Sequence, residues 1–155
     1  MKKTILLLLL LQSCGWAFAQ EKTGISVYFD HIALSVKDVD QSVAFYKSVL
    51  GLDEITNKTE VEGIRWMSLG EGKEMHLIST LKGKVKVNKA VHLALKTPDF
   101  DLLIAQLQAM GIAYSDWPGK ANTISVRADG IRQVFFQDPD GYWIEVNSVG
   151  QTMDK

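Results

Sequence analysis

The chain carries an internal copy of itself, and any fold it adopts must accommodate that. The stretch that starts at His92 can be laid on the one that starts at His31 without a gap. His92 falls on His31, Ala94 on Ala33, Leu95 on Leu34, Asp99 on Asp38 and Asp101 on Asp40, at a constant offset of 61 residues. A unit that recurs at such a period is one supersecondary element, and a single copy leaves a sheet face uncovered that the other copy can bury.

Each copy reads as strand, helix, then three strands. In the first, alternation over residues 25–36 predicts a strand with Ile32, Leu34 and Val36 on one face and His31, Ala33 and Ser35 on the other. Asp38 or Asp40 then caps a helix that is apolar at Val39, Val43, Tyr46, Val49 and Leu50 and ends at Gly51. Strands are expected near residues 52–60, 64–69 and 74–81, parted by turn residues at Glu62–Gly63 and Gly70–Gly72. The second copy has a helix from about Asp99 to Met110, apolar at Leu102, Leu103, Leu107 and Met110 and stopped by Gly111. Strands follow near 112–116, 123–128, 133–137 and 142–147, and the Asp129–Gly130 turn leaves either an extra edge strand or a longer hairpin. The expected class is α+β, with modules at about 25–81 and 91–148 inside a single domain of residues 20–155.

The first 19 residues stand apart. Lys2 and Lys3 precede an apolar run from Ile5 to Leu11, and Ala17–Phe18–Ala19 supplies small residues where a signal peptidase reads, so the segment is expected to be an export leader. The rival reading, a lipoprotein acylated at Cys14, suits Gln12 poorly. The protein is therefore expected to be periplasmic or secreted. No cysteine follows the leader, so packing or a metal must hold the domain. Without Lys2 and Lys3 there are 15 basic residues against 18 acidic ones and no basic block, which argues against nucleic acid. No later stretch is long and apolar enough to span a membrane. Residues 82–89, rich in lysine, read as a solvated linker.

The chemistry concentrates on the first and last strand of each copy. Met75–His76–Leu77–Ile78 closes the first and Trp143–Ile144–Glu145–Val146 the second, so the copies offer His31 with His76 and His92 with Glu145. These three histidines are all the chain has. Any one of them could be a hydrogen-bonded structural residue. Four ligand-type residues at equivalent places point instead to a metal site, and imidazoles with a carboxylate suit Zn²⁺, Ni²⁺, Fe²⁺, Co²⁺ or Mn²⁺. After the turn Asp138–Pro139–Asp140–Gly141, strand parity sets Trp143, Glu145 and Asn147 on one face, and a cation there would compensate the burial of Glu145. Arg65, Arg127 and Arg132 read as surface charges, Trp66 and Trp117 as core or rim packing, and Asp38, Asp40, Asp99 and Asp101 as helix starts.

His31–Ile32–Ala33–Leu34, Phe45–Tyr46 through Leu50–Gly51–Leu52, and Asp138–Gly141 leading into Ile144–Glu145 together resemble the vicinal oxygen chelate superfamily. Its members include glyoxalase I, extradiol dioxygenases, fosfomycin resistance enzymes and bleomycin-binding proteins. The resemblance implies paired βαβββ modules whose mixed sheets curl around a metal cleft, often combined across a homodimer. It places His31, His92 and Glu145 on the usual ligand positions and His76 on a fourth used by glyoxalase I, where that enzyme generally has a glutamate. The expected activity is a glyoxalase I-like, metal-dependent lyase or isomerase acting on a small oxygenated molecule, with Glu145 as both ligand and catalytic base. An Fe²⁺ dioxygenase using His31, His92 and Glu145, with His76 behind them, is one alternative, and a non-enzymatic small-molecule binder is another. Export counts against a glutathione substrate.

Overall fold

The structure, a computed structural model, describes residues 26–149 except 82 and 84. The expected leader and Cys14 lie outside the described residues. Eleven elements follow in order: β1 (His31–Ser35), α1 (Val39–Leu50), β2 (Glu54–Ile55), β3 (Ile64–Gly70), β4 (Lys73–Ile78), β5 (His92–Thr97), α2 (Phe100–Ala109), β6 (Tyr114–Ser115), β7 (Ser125–Val126), β8 (Arg132–Gln137) and β9 (Trp143–Ser148). They form two mixed sheets, β1-β4-β3-β2 and β5-β9-β8-β6, with β7 pairing β8 across the Asp129–Gly130 turn as the extra short strand. In both sheets the first strand runs parallel to the last, with His31 opposite Glu74 and Ala33 opposite His76, then His92 opposite Trp143 and Ala94 opposite Glu145.

Local chemistry sets the helix ends. Asp38 caps α1 by accepting from the Asp40 and Gln41 amides at 3.0 Å, and Gly51, at φ 64°, turns the chain out in the left-handed conformation that suits glycine. Asp99 stands at the start of α2 but makes no side-chain cap bond there. The buried face of α2 is Phe100, Leu103, Ile104 and Leu107, whereas Leu102 and Met110, both expected on the apolar face, are exposed at 66% and 46%. Phe100, Leu103, Ile104 and Leu107 follow the i, i+3, i+4, i+7 spacing of one face, and Leu102, about 200° around the axis from Phe100, falls on the solvent side. Several strands are shorter than the alternation implied. Residues 26–30 do not join β1, and Val27, Tyr28 and Phe29 remain exposed with no strand to pack on.

One core spans both halves, with Tyr46, Met67, Met75 and Leu77 from the first packed in the same cluster as Leu107, Val134, Phe136 and Ile144 from the second. Polar contacts from the 138–141 turn then dock the second half on the first. Asp138 is buried, accepts the Tyr46 hydroxyl at 2.8 Å, and takes the Asp140 and Tyr142 amides at 2.9 Å on its other oxygen. Asp140 accepts the Lys37 amide at 3.1 Å and the Ser42 hydroxyl at 3.4 Å, and the Tyr142 hydroxyl donates to Ser35 O at 2.9 Å. Gly141, at φ 90°, lets the chain reverse between Asp138 and β9.

Burial pushes the Asp138 carboxyl above its ordinary value of 3.8, against hydrogen bonds from Tyr46, Tyr142 and Asp140 that pull it down. The same burial, with the Asp138 charge beside it, raises the Tyr46 hydroxyl far out of the physiological range. Two outcomes are expected. Tyr46→Phe strands a buried carboxylate oxygen and should destabilise the protein by about 1–3 kcal/mol in urea unfolding, with an unchanged slope. A folded-state value raised above the unfolded one gives stability that is present in acid and lost as pH rises through the folded value. The stability of Asp138→Asn relative to the wild type should accordingly improve as pH climbs above 3.8 toward neutrality, read as the difference in urea midpoints across pH.

Candidate functional site

Strand parity delivers the four candidate residues to one face of each sheet, and the structure gathers them as two pairs. In the second half, His92 Nε2 lies 3.0 Å from Glu145 Oε2, both side chains largely buried. The other Glu145 oxygen accepts the Asn147 amide at 2.7 Å. His92 Nδ1 lies 2.9 Å from Lys89 O, and because a carbonyl only accepts, Nδ1 must carry a hydrogen. Both ring nitrogens thus face acceptors. Such a ring is satisfied as an imidazolium, or as the Nδ1–H tautomer with a cation drawing in the Nε2 lone pair and the carboxylate together.

In the first half three rings stack across adjacent strands. His76 is sandwiched between His31, 4.3 Å away and 15° off parallel, and Trp66, 4.1 Å away and 8° off parallel. His31 Nδ1 meets Asp30 Oδ2 at 2.7 Å and His76 Nε2 meets Glu74 Oε2 at 2.9 Å. All three histidines therefore have one nitrogen held by an oxygen acceptor, the arrangement that metal-ligating histidines use to fix ring orientation. Trp66 Nε1 and Asn147 Oδ1 are buried on these faces without a hydrogen-bond partner among the described residues.

A metal fits these residues only in part. Two neighbouring ligands at about 2.1 Å from one ion sit about 3 Å apart, which is the His92–Glu145 separation. Among the described residues, however, no group of three or more histidine, cysteine, aspartate or glutamate side chains is placed to hold one ion. The single cluster expected from His31, His76, His92 and Glu145 is therefore not formed within one chain. The reason lies in the sheet order: β1 and β5 each end their own sheet and are not hydrogen-bonded to one another, and a cavity of about 210 Å³ lined by Ile32, Ala33, His92 and Trp143 lies between the halves.

Three participants were not evident from sequence. Asp30 adjoins His31, while Glu74 lies two residues from His76, the spacing that shares a strand face and so the signal that could have found it, just as parity had already set Asn147 beside Glu145. Lys89 departs further from expectation. It is not a solvated linker residue, because its ammonium donates to Ser115 Oγ at 3.0 Å and to the carbonyls of Asp116 and Trp117, and burial lowers its pKa. The three arginines behave as surface charges. Arg65 pairs with Glu54 and Asp40, Arg127 with Asp129 and Arg132 with Asp101.

The model of the Glyoxalase/Bleomycin resistance protein/Dioxygenase superfamily matches residues 28–146. The chain belongs to this superfamily. Among curated relatives of this glyoxalase-type chain, "Glyoxylase I 4" of Arabidopsis thaliana is 31% identical over 127 residues, covering 76% of this chain and 68% of the relative. The "Uncharacterized protein YwbC" of Bacillus subtilis (strain 168) is 29% identical over 122 residues, covering 75% and 93%. Among solved structures, "Oxidase ChaP-H1" superposes with a TM-score of 0.66 at 22% identity, covering 79% of this chain and 96% of its own, a likeness of fold. Members of the glyoxalase-type superfamily typically use divalent metals and bind small molecules.

Proposed function

We propose that this protein is a divalent metal-dependent lyase or isomerase of the glyoxalase I kind, acting on a small oxygenated molecule. The observation that carries the reading is the His92–Glu145 pair at ligand spacing, its outer atoms fixed by Lys89 O and Asn147. His31, His76, His92 and Glu145 would hold the ion, and a bound divalent ion supplies Lewis acidity toward two substrate oxygens. Glu145 has one oxygen tied to Asn147 and the other free of backbone donors, which suits a carboxylate that accepts a proton from substrate carbon and returns it. Phe135 packs edge-on against the His92 ring at 5.8 Å, and Trp143 lines the cavity beside it.

The two half-sites are completed by a second copy of the chain, with His31 and His76 of one facing His92 and Glu145 of the other. Open edges at β1 and β5 and the exposed Val27, Tyr28 and Phe29 beside β1 support this assembly. A test uses two inert proteins, His31→Ala/His76→Ala and His92→Ala/Glu145→Gln. Mixed refolding should restore about a quarter of the wild-type metal sites, since half of the dimers carry one intact site each. No recovery in metal bound per chain would place the site inside one chain.

A second reading, an Fe²⁺ dioxygenase with His31, His92 and Glu145 as its ligands, is favoured by one observation: His76 is already engaged by Glu74 and sandwiched between two rings. His76→Ala separates the two. Elemental analysis of protein purified without a chelating tag should show metal lost if four residues ligate and retained if three do, while a wild type that takes up no metal after reconstitution would sink both.

A further inference from the structure

Trp117 is exposed at 49%, although its indole reaches the inner face of the second sheet. Ser115 stands opposite Phe135 in the β6–β8 register, and two residues later Trp117 meets the Phe135 ring edge to face at 5.4 Å. Its centroid is 6.1 Å from that of His92. A half-exposed tryptophan on a loose loop would need no explanation, but this loop is tied at every turn. Asp116 Oδ1 accepts the Gly119 and Lys120 amides at 2.9 Å and 2.7 Å, Ser115 bridges to Ala121, and the Asn122 amide donates to Tyr114 O at 2.9 Å. The Lys89 ammonium holds the loop from the linker side, donating to Ser115 Oγ at 3.0 Å, to Asp116 O, and to Trp117 O at 3.2 Å. The indole is therefore fixed before any ligand arrives, with about half of its surface open beside His92.

We infer that Trp117 is a specificity-determining residue whose open indole packs against an aryl group of the ligand, so that the substrate is an aryl-substituted molecule with neighbouring oxygens. The inference rests on the proposed function only for the seat of those oxygens, at His92 and Glu145, because the aryl contact itself needs no ion. A rigid aromatic side chain offers a large contact area at little entropic cost, and ring pairs are most favourable at centroid separations of about 4.5–7 Å. A ligand ring at that distance from Trp117 sets its substituents beside His92, since the two side chains are themselves 6.1 Å apart. The neighbouring charges select against a cationic group. Lys89 Nζ already lies 4.5 Å from the Phe135 ring, 4.9 Å from Trp143 and 5.8 Å from Trp117, so it fills the aromatic box and a second cation would meet a like charge. A neutral ring meets no such penalty.

The test uses two neutral hydroxyketones that differ only in one substituent, 2-hydroxyacetophenone with a phenyl group and hydroxyacetone with a methyl. Each is titrated into the metal-free full chain by saturation-transfer NMR and into the Co²⁺-treated chain by calorimetry. The wild type should bind the phenyl compound at least ~10-fold more tightly than the methyl compound in both series. Trp117→Phe should keep most of that preference, and Trp117→Ala should reduce it to roughly 2-fold or less. Should Trp117→Ala fail to fold, Trp117→Leu keeps Phe135 covered without a flat face and should lower the preference to about 3-fold. Equal affinity for the two ketones in the wild type, or a preference that survives in folded Trp117→Ala, overturns the inference. So does a Trp117→Ala protein that sediments as a smaller species with its preference intact, which makes the indole a contact between copies of the chain. Failure of the metal reading looks different: a wild type that takes up no Co²⁺ yet favours the phenyl compound in the metal-free series loses the ion and keeps the aryl site.

Discussion

A buried carboxylate governs how the two halves of this chain meet. Asp138 accepts two amides from its own turn on one oxygen and the Tyr46 hydroxyl of the opposite half on the other. A buried acid that satisfies only its own loop would stabilise a turn, and a buried acid that satisfies only its partner would leave the turn loose. Meeting both demands makes the turn an adaptor. It fixes, against α1 of the first half, the point at which the chain leaves β8 and enters β9 of the second. The residue parity of β9 then follows, with Ile144 and Val146 in the core and Trp143, Glu145 and Asn147 on the inner face. The position of the candidate base is thus set seven residues away from the Asp138 contact that anchors it.

Around that frame the polar chemistry is layered in a consistent way. Each imidazole spends one nitrogen on an oxygen acceptor: Asp30 for His31, Glu74 for His76 and the Lys89 carbonyl for His92. Rings held in this manner lose little freedom when the remaining nitrogen is used, which is how a site can be organised before its ion arrives. The stack of His31, His76 and Trp66 adds a second constraint, because three flat rings on neighbouring strands at about the inter-strand spacing cannot tilt independently.

Much of this was legible in the sequence, for identifiable reasons. The alternating strand and helix periods gave the mixed α+β class, and strict two-residue alternation put His31 with His76 and His92 with Glu145 on shared sheet faces. The helix faces were less legible: Leu102 read as apolar-face beside Leu103 and Leu107, but Phe100 and Ile104 complete that face and leave Leu102 in solvent. The roles of Asp30 and Glu74 were hidden because each is a polar residue on a strand, or beside one, that composition alone assigns to the surface. Lys89 was misplaced by its company, since a lysine-rich linker averages to a solvated segment and a single member that folds back into an aromatic box leaves no periodic trace. The separation into two pairs lay beyond sequence altogether, because residue spacing fixes what shares a sheet face but not how two sheet edges face one another.

That separation has a physical consequence for the free chain. A complete set of three imidazoles and a carboxylate crowded into one dry cavity would oblige the protein to bury several polar groups whose only good partner is an ion. Divided between two faces, the same groups compensate one another, His92 with Glu145, His76 with Glu74 and His31 with Asp30. The interlock at Asp138 and the shared core hold the two halves together. An incoming cation has to displace contacts already made. On the proposed metal reading, a cation would gain most where two donors already stand at ligand spacing, at His92 and Glu145, with the His31–His76 face completing its shell.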